Sequence, residues 1–334
     1  MYCLYGQDMK FLILDTHDPY RNLAIEEYLF DTCDDEIFML WQNEPTVVIG
    51  KNQNAFAEIR WDFVKERGIH VARRITGGGA VYHDLGNINY TFLSPNKGKD
   101  GIDFAYFTEP IVKALRDMGL DVCLSGRNDL LADGKKISGN AQHAVGDRVL
   151  HHGTLLFDSD LDVLSTALCV DPEKLKAKAV ASARSRVANI RDLFAEPFDT
   201  REFMARIADS VKSCYGAQCI PTPTCAEIDR LCERNASKEW LFPEREFLSN
   251  YQLIQKKRYD FGTVELYLYM ANETIREIRI RGDFFGTRPI IELENALQNT
   301  DRNAVEGVLQ TLPVGEYVFG MSAEMLASQI LSHA

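Results

Sequence analysis

The sequence predicts an α+β protein in two parts, a larger one over residues 1–247 and a small one over 248–334. Short β-type runs such as Ile37–Trp41 and Thr46–Gly50 recur through the first half of the chain. Amphipathic helical patterns follow them, clearest over 103–118. Beyond about residue 247 a strand pair precedes two helical segments, which is the order of a small α+β unit. With 334 residues, the chain can bury one large core or two smaller ones.

Each element has its own local reason. Residues 19–33 read as a helix that Asn22 can cap, with Leu23, Ile25, Tyr28, Leu29 and Phe30 as apolar positions. Ile37–Trp41 and Thr46–Gly50 bracket the turn Asn43-Glu44-Pro45. Trp61, Phe63 and Val64 lie in a polar stretch that suggests another helix. Ile69–Ala72 and Asn89–Leu93 read as strands, and the helix over 103–118 ends at Gly119. Leu150–Phe157 is a strand carrying His151 and His152, and helical patterns return at 159–168, 200–214 and 225–235. Phe261–Met270 and Thr274–Ile280 alternate like strands joined at Ala271-Asn272-Glu273, with helices near 290–298 and 320–331.

Composition excludes several classes. Hydrophobic residues make up 46% and charged residues 26%, as in ordinary globular proteins. No run approaches the ~18–20 apolar residues of a membrane span. The start, Met1-Tyr2-Cys3-Leu4, lacks the basic and apolar regions of a signal peptide, so a cytoplasmic location is expected. The eight cysteines contain no C-x-x-C pair, which argues against zinc; Cys123 and Cys169 are expected to be core thiols. A net charge of −12 argues against non-specific nucleic-acid binding. Against that balance, Lys174, Lys176, Lys178, Arg184, Arg186 and Arg191 form a basic stretch with no acidic residue among them. It reads either as a solvated face or as a loop covering an anionic ligand.

Two blocks carry chemistry. Arg73-Arg74-Ile75-Thr76-Gly77-Gly78-Gly79-Ala80-Val81-Tyr82-His83-Asp84 sits between two predicted strands and is neither a P-loop nor a Rossmann fingerprint. Three adjacent glycines bury no side chain, so local packing is not expected to require them; they let main-chain amides approach an anion beside the arginines. The second block is Ser125-Gly126-Arg127-Asn128-Asp129 with Gly134-Lys135-Lys136-Ile137-Ser138-Gly139. In a strand the two lysines point to opposite faces. An inward amine could hold a carboxylate against a nucleotide α-phosphate and stabilise the charge that develops there.

These blocks resemble the lipoate–protein ligase family. The matching pieces are Arg73-Arg74-x-x-Gly77 to Asn87, Ser125 to Asp129, Lys136-Ile137-Ser138-Gly139-x-Ala141 and His151-His152-Gly153-Thr154-Leu155-Leu156. Asp18-Pro19-x-x-Asn22-Leu23-Ala24-x-Glu26-Glu27, Thr46–Gly50 and Lys174-Leu175-x-Ala177-Lys178 with Ser182 to Val187 fit as well. The resemblance implies a mixed-sheet catalytic domain of the lipoate/biotin ligase type with a small accessory domain. It implies activation of lipoate by ATP and Mg²⁺ to lipoyl-AMP, then transfer to a lysine of apo lipoyl domains of 2-oxo acid dehydrogenase complexes or of the glycine cleavage H protein. By motif position, Arg74, Gly79, Ala80, Val81, Tyr82 and Lys136 would contact ATP. Arg74, Gly77, Gly78, His83, Lys136 and His152 would contact lipoate, with Lys136 as the catalytic group. Lys178, Arg184 and Arg186 would belong to a loop over the adenylate, and Asp129 is a candidate metal contact. A monomer is expected, with no nucleic acid or membrane as partner. The alternatives are an octanoyl or lipoyl acyltransferase of the same fold and an inactive lipoate-binding protein. No cysteine falls inside a matching block, which disfavours a cysteine-dependent acyltransferase, and the presence of the glycine run and Lys136 disfavours an inactive binding protein.

Overall fold

The computed structural model describes residues 9–95, 102–169, 186–216, 218–243, 251 and 253–332. Lys178 and Arg184, and the N-terminal segment read above, lie outside the described residues. The chain divides into two compact units. The first comprises Met1–Val48, Phe56–Arg73 and Val81–Leu241; the second comprises Ile49–Ala55, Arg74–Ala80 and Phe242–Ala334. Two short loops of the N-terminal half therefore belong with the C-terminal residues.

In chain order the first unit begins with β1 (Lys10–Ile13), α1 (Pro19–Thr32), β2 (Ile37–Trp41) and β3 (Thr46–Ile49). Next come α2 (Ala55–Glu58), α3 (Trp61–Glu66), β4 (His70–Arg73), β5 (Val81–His83), β6 (Asn87–Pro95) and α4 (Phe104–Asp117). It continues with β7 (Val122–Ser125), β8 (Asp129–Ala132), β9 (Lys135–Val145), β10 (Arg148–Leu156) and α5 (Leu161–Ala167). It ends with α6 (Thr200–Tyr215), β11 (Gln218–Cys219), α7 (Ala226–Ala236) and α8 (Lys238–Leu241). Eight strands form one sheet in the order β11-β1-β2-β6-β10-β9-β8-β7, while β4, β3 and β5 form a smaller one. The large sheet is mixed: β1 runs parallel to β2 and β11, and β2, β6, β10 and β9 are antiparallel in turn.

Strand alternation sorts the side chains of this sheet onto two faces. Phe38, Leu40, Ile88, Tyr90, Phe92 and Leu155 pack against Phe107, Ile111 and Leu115 of α4 and Phe203, Ile207 and Val211 of α6. Each such burial contributes roughly 1.5–3 kcal/mol. The opposite face carries Trp41, Asn89, Thr91, His152 and Thr154 in cross-strand register and meets α1.

Two local expectations are corrected. Asp18, not Asn22, caps α1: its side chain accepts from the Tyr20 and Arg21 amides, with Pro19 at the first position. That leaves buried Asn22 to donate to Thr16 O, Gln42 O and Asn43 Oδ1 at 3.1, 2.9 and 2.9 Å. Cys123 and Cys169 are exposed rather than core thiols. Cys123 lies on the edge strand β7, where alternation after buried Val122 turns it outward, and Cys169 follows the end of α5.

The second unit contains β12 (Leu253–Tyr259), β13 (Gly262–Ala271), β14 (Thr274–Gly282), α9 (Ile290–Leu297) and β15 (Thr300–Asp301), then α10 (Val305–Gln310), α11 (Val314–Tyr317) and α12 (Ala323–Leu331). The four strands pair in sequence order. Leu266, Leu268, Ile278 and Ile280 bury one face against Leu293, Leu297, Leu326 and Ile330. The predicted hairpin joint is present, with Asn272 and Glu273 at φ 53° and 57°. The unit's N-terminal loops are tied in by Gly282 N–H donating to Asn52 O (2.8 Å) and Asn54 Nδ2 donating to Tyr267 Oη (2.9 Å). No described helix is long and apolar enough to cross a membrane.

Candidate active site

Lys136 is presented by a bulged hairpin. In the β8–β9 ladder Leu131 faces Lys136 and Leu130 faces Ser138, so Ile137 is an added residue and enters the core. The bulge brings Lys136 and Gly139 onto one face. A Cβ at residue 139 would lie 2.6 Å from Lys136 Nζ and 3.0 Å from its Cε, so only glycine leaves room for the lysine to lie across the strand. Lys135 is exposed and Lys136 half-buried, as strand alternation predicts.

Asp129, opposite Gly139, joins two cations. Its Oδ1 is 2.8 Å from Lys136 Nζ and its Oδ2 is 2.5 Å from Arg186 Nη2. The residues after Arg186 are anchored at the same strand: Val187 bridges to Lys136, and the Ala188 amide donates to Lys136 O at 3.0 Å. Thr154 Oγ1 accepts from the Gly139 amide at 3.1 Å. Lys136, Asp129 and Arg186, three predicted site residues, thus form one charged cluster. Removing the carboxylate would leave two cations facing each other without compensation.

A buried chain of hydrogen bonds lies on the same face of the sheet. His152 Nδ1 is 2.9 and 3.0 Å from the Glu26 oxygens, which fixes a proton on that nitrogen. Glu26 Oε1 also accepts from Thr91 Oγ1 (2.6 Å), which in turn accepts from Trp41 Nε1 (2.9 Å). The indole meets His83 edge-on, with ring centroids 6.0 Å apart. Asn43 Nδ2 donates to His83 Nδ1 at 3.1 Å and so selects the other tautomer there. Both predicted histidines are therefore oriented by one network. Glu26, Trp41, Thr91 and Asn43, its other members, escaped functional assignment from sequence. The available signal was the i,i+4 spacing of Asn22 and Glu26, which puts two polar groups on the buried side of α1.

The adjacent arginines serve different units. Arg73 Nε and Nη2 donate to Trp240 O and Leu241 O at 3.0 and 2.8 Å, and Trp240 Nε1 donates back to Arg73 O at 2.9 Å. That is a structural clasp in the first unit. Arg74, in the second, folds over its own loop, with Nε to Thr76 Oγ1 at 2.8 Å and Nη2 to Gly77 O and Gly79 O at 2.6 and 2.9 Å.

The glycines divide likewise. A Cβ at Gly77 would strike the Phe284 carbonyl, and one at Gly78 would lie 3.0 Å from the Phe285 ring. Packing therefore does require glycine at both positions, which corrects the expectation above. Gly79 has nothing closer than Asp283 Oδ2 at 4.0 Å. Ala80 and Val81 are half-buried, and Tyr82, paired with Val47, is buried, which pushes its phenol pKa up.

The donor set does not suit a resident metal. Both Asp129 oxygens meet cations, and among the described residues no three His, Cys, Asp or Glu side chains could hold an ion together.

Residues 18–212 match the lipoyl protein ligase A/B catalytic domain, and residues 249–330 match the bacterial lipoate protein ligase C-terminus. The chain belongs to the lipoate–protein ligase family. The ligase is 38% identical over 318 residues to the lipoate–protein ligase LplJ of Bacillus subtilis, covering 92% of this chain and 95% of that one. The crystal structure of Plasmodium falciparum LipL1 in complex with lipoate shares the fold, with a TM-score of 0.80 at 23% identity over 97% of this ligase and 99% of that chain. A lipoate–protein ligase A bound with ATP superposes with a TM-score of 0.59 at 27% identity, covering 70% of this chain and 98% of that one.

Proposed function

We propose that this ligase condenses lipoate with ATP and passes the acyl group to a lysine of a lipoyl domain. In the first step a lipoate carboxylate oxygen attacks the α-phosphorus, the bond to the β-phosphate oxygen breaks, and pyrophosphate leaves. In the second, the acceptor amine attacks the acyl carbon, AMP leaves, and an amide forms with loss of a proton. Lys136 holds the carboxylate against the α-phosphate and balances the charge that grows on both. Arg74, Gly79, Ala80, Val81 and Tyr82 contact the nucleotide. Gly77, Gly78, His83 and His152 border the acyl group, with Glu26 and Asn43 setting the two tautomers. Arg186 borders the adenylate, from which water has to be kept between the two steps. Mg²⁺ enters with ATP as part of the substrate. Asp129 orients Lys136.

The observation that carries this reading is the clamped amine: Lys136 lies across Gly139, 2.8 Å from Asp129. Residues 1–247 perform both steps and residues 248–334 are accessory to them. The acceptors are lipoyl domains of 2-oxo acid dehydrogenase complexes or the glycine cleavage H protein, and the enzyme acts as a cytoplasmic monomer. The test mixes protein, lipoate, MgATP and an apo lipoyl domain, and follows pyrophosphate and acceptor mass. A ligase gives both products only with ATP. Acceptor modification without ATP would indicate an acyltransferase, and no pyrophosphate at all a binding protein.

A further inference from the structure

The glycine loop rests on three consecutive residues of the second unit, Asp283 to Phe285. Gly78, at φ +87°, donates its amide to Phe284 O at 3.3 Å. A Cβ at Gly77 would lie 3.2 Å from Phe285 Cα and Cδ1, and one at Gly78 would lie 3.0 Å from Cε1 and Cζ of the same ring. Gly79 faces Asp283. Each glycine of the run therefore meets a different part of one short segment.

That segment is itself held from several sides. Asp283 Oδ1 accepts from the Thr263 amide, and the Asp283 amide donates to Thr263 O at 3.3 Å. Gly282 donates to Asn52 O, and Phe285 O accepts from Phe319 N–H, both at 2.8 Å. Phe284 and Phe285 are fully buried. The ring of Phe285 is thus a fixed surface, and a left-handed turn pressed against it has little freedom to reorient.

We propose that Phe285 is a positioning residue for the activation step: its ring and the preceding carbonyl fix the turn at Gly78, and with it the direction of the loop amides. This rests on the reading of Arg74–Ala80 as nucleotide-contacting. The ring acts through the loop and does not touch the reacting atoms. A group that aims binding amides affects nucleotide capture more than turnover, because a displacement near 1 Å is costly at such contacts.

The test uses the full chain with Phe285→Leu, Gly78→Ala and the double variant. Leucine keeps the site apolar but withdraws the ring edge from Gly78. In lipoate-dependent pyrophosphate exchange, Phe285→Leu is expected to raise KM for ATP about tenfold and to change kcat less than about threefold. Gly78→Ala alone is expected to be worse, and adding Phe285→Leu should recover part of its loss by making room for the methyl. Multiplicative losses in the double variant, or kinetic constants like wild type in Phe285→Leu, would overturn the proposal. Hydrogen exchange of the Gly77–Ala80 amides gives a readout independent of activity. It should be slow in wild type and faster in Phe285→Leu, whereas equal rates would overturn positioning. Wild type inactive in exchange would reject the ligase reading and leave this amide comparison standing.

Discussion

Gly139 in the first unit and Gly77 and Gly78 in the second leave room for different things. Gly139 accommodates the tip of a flexible side chain, Lys136 Nζ, on the face of an open strand. Gly77 and Gly78 accommodate backbone and an immobile aromatic ring, Phe284 O and Phe285. A displaced lysine tip can swing aside at little cost in stability but with loss of its function. A displaced carbonyl or buried ring strains the fold. Glycines in these two motifs thus carry separate costs, one kinetic and one structural.

Among the glycine substitutions, Gly139→Ala should give the largest effect and tests the kinetic side. With a Cβ 2.6 Å from Nζ, the amine must leave its place. The expected result is a fall of about 100-fold in kcat/KM for activation with unfolding stability within about 1 kcal/mol of wild type. A large loss of stability in urea unfolding would erase the contrast. Gly77→Ala tests the structural side. It should cost ~1–3 kcal/mol by overpacking against Phe284 O, and an unchanged urea midpoint would refute that account. Gly79→Ala sharpens the comparison further, since its Cβ would meet nothing closer than Asp283 Oδ2 at 4.0 Å, an ordinary contact. Its stability should stay within about 0.5 kcal/mol, so any rise in KM for ATP would report ligand approach alone.

A contrast confined to the pH dependence concerns the two faces of the sheet at His151 and His152. His151 is fully buried, stacks on Phe107 at 5.3 Å, and is held well below the usual histidine pKa, first by burial and then by the charge of His152. The folded chain therefore resists protonation there while the unfolded chain accepts a proton below 6.5. Stability should decline as pH falls through that value, by up to ~1.4 kcal/mol per pH unit from this group, until the folded histidine also titrates. His151→Phe should flatten this part of the stability–pH curve while leaving activation unchanged. An unaltered slope would remove His151 from the account.

What the sequence made legible follows from how local each cause is. Lys136, Asp129 and Gly139 lie within one hairpin, so their association can be read from a short window. The Glu26–His152 contact spans 126 positions and needs the β2-β6-β10 register, which no local pattern reveals. The seat of the glycine loop on Phe284 lies still farther along the chain, so the packing duty of these glycines leaves no trace in the local sequence. In β12 the run Gln255-Lys256-Lys257-Arg258 hides the strand alternation. The capping role fell to Asp18 because the Asp-Pro pair presets the first helical turn better than Asn22 does.

The most direct measurement is adenylate formation by wild type and Lys136→Ala, quenched and followed by mass with lipoate and MgATP. Removing a positioned charge that stabilises the transition state should slow lipoyl-AMP formation by about 10³-fold, with an unchanged urea midpoint. A variant that makes the adenylate at the wild-type rate would contradict the role assigned to this amine.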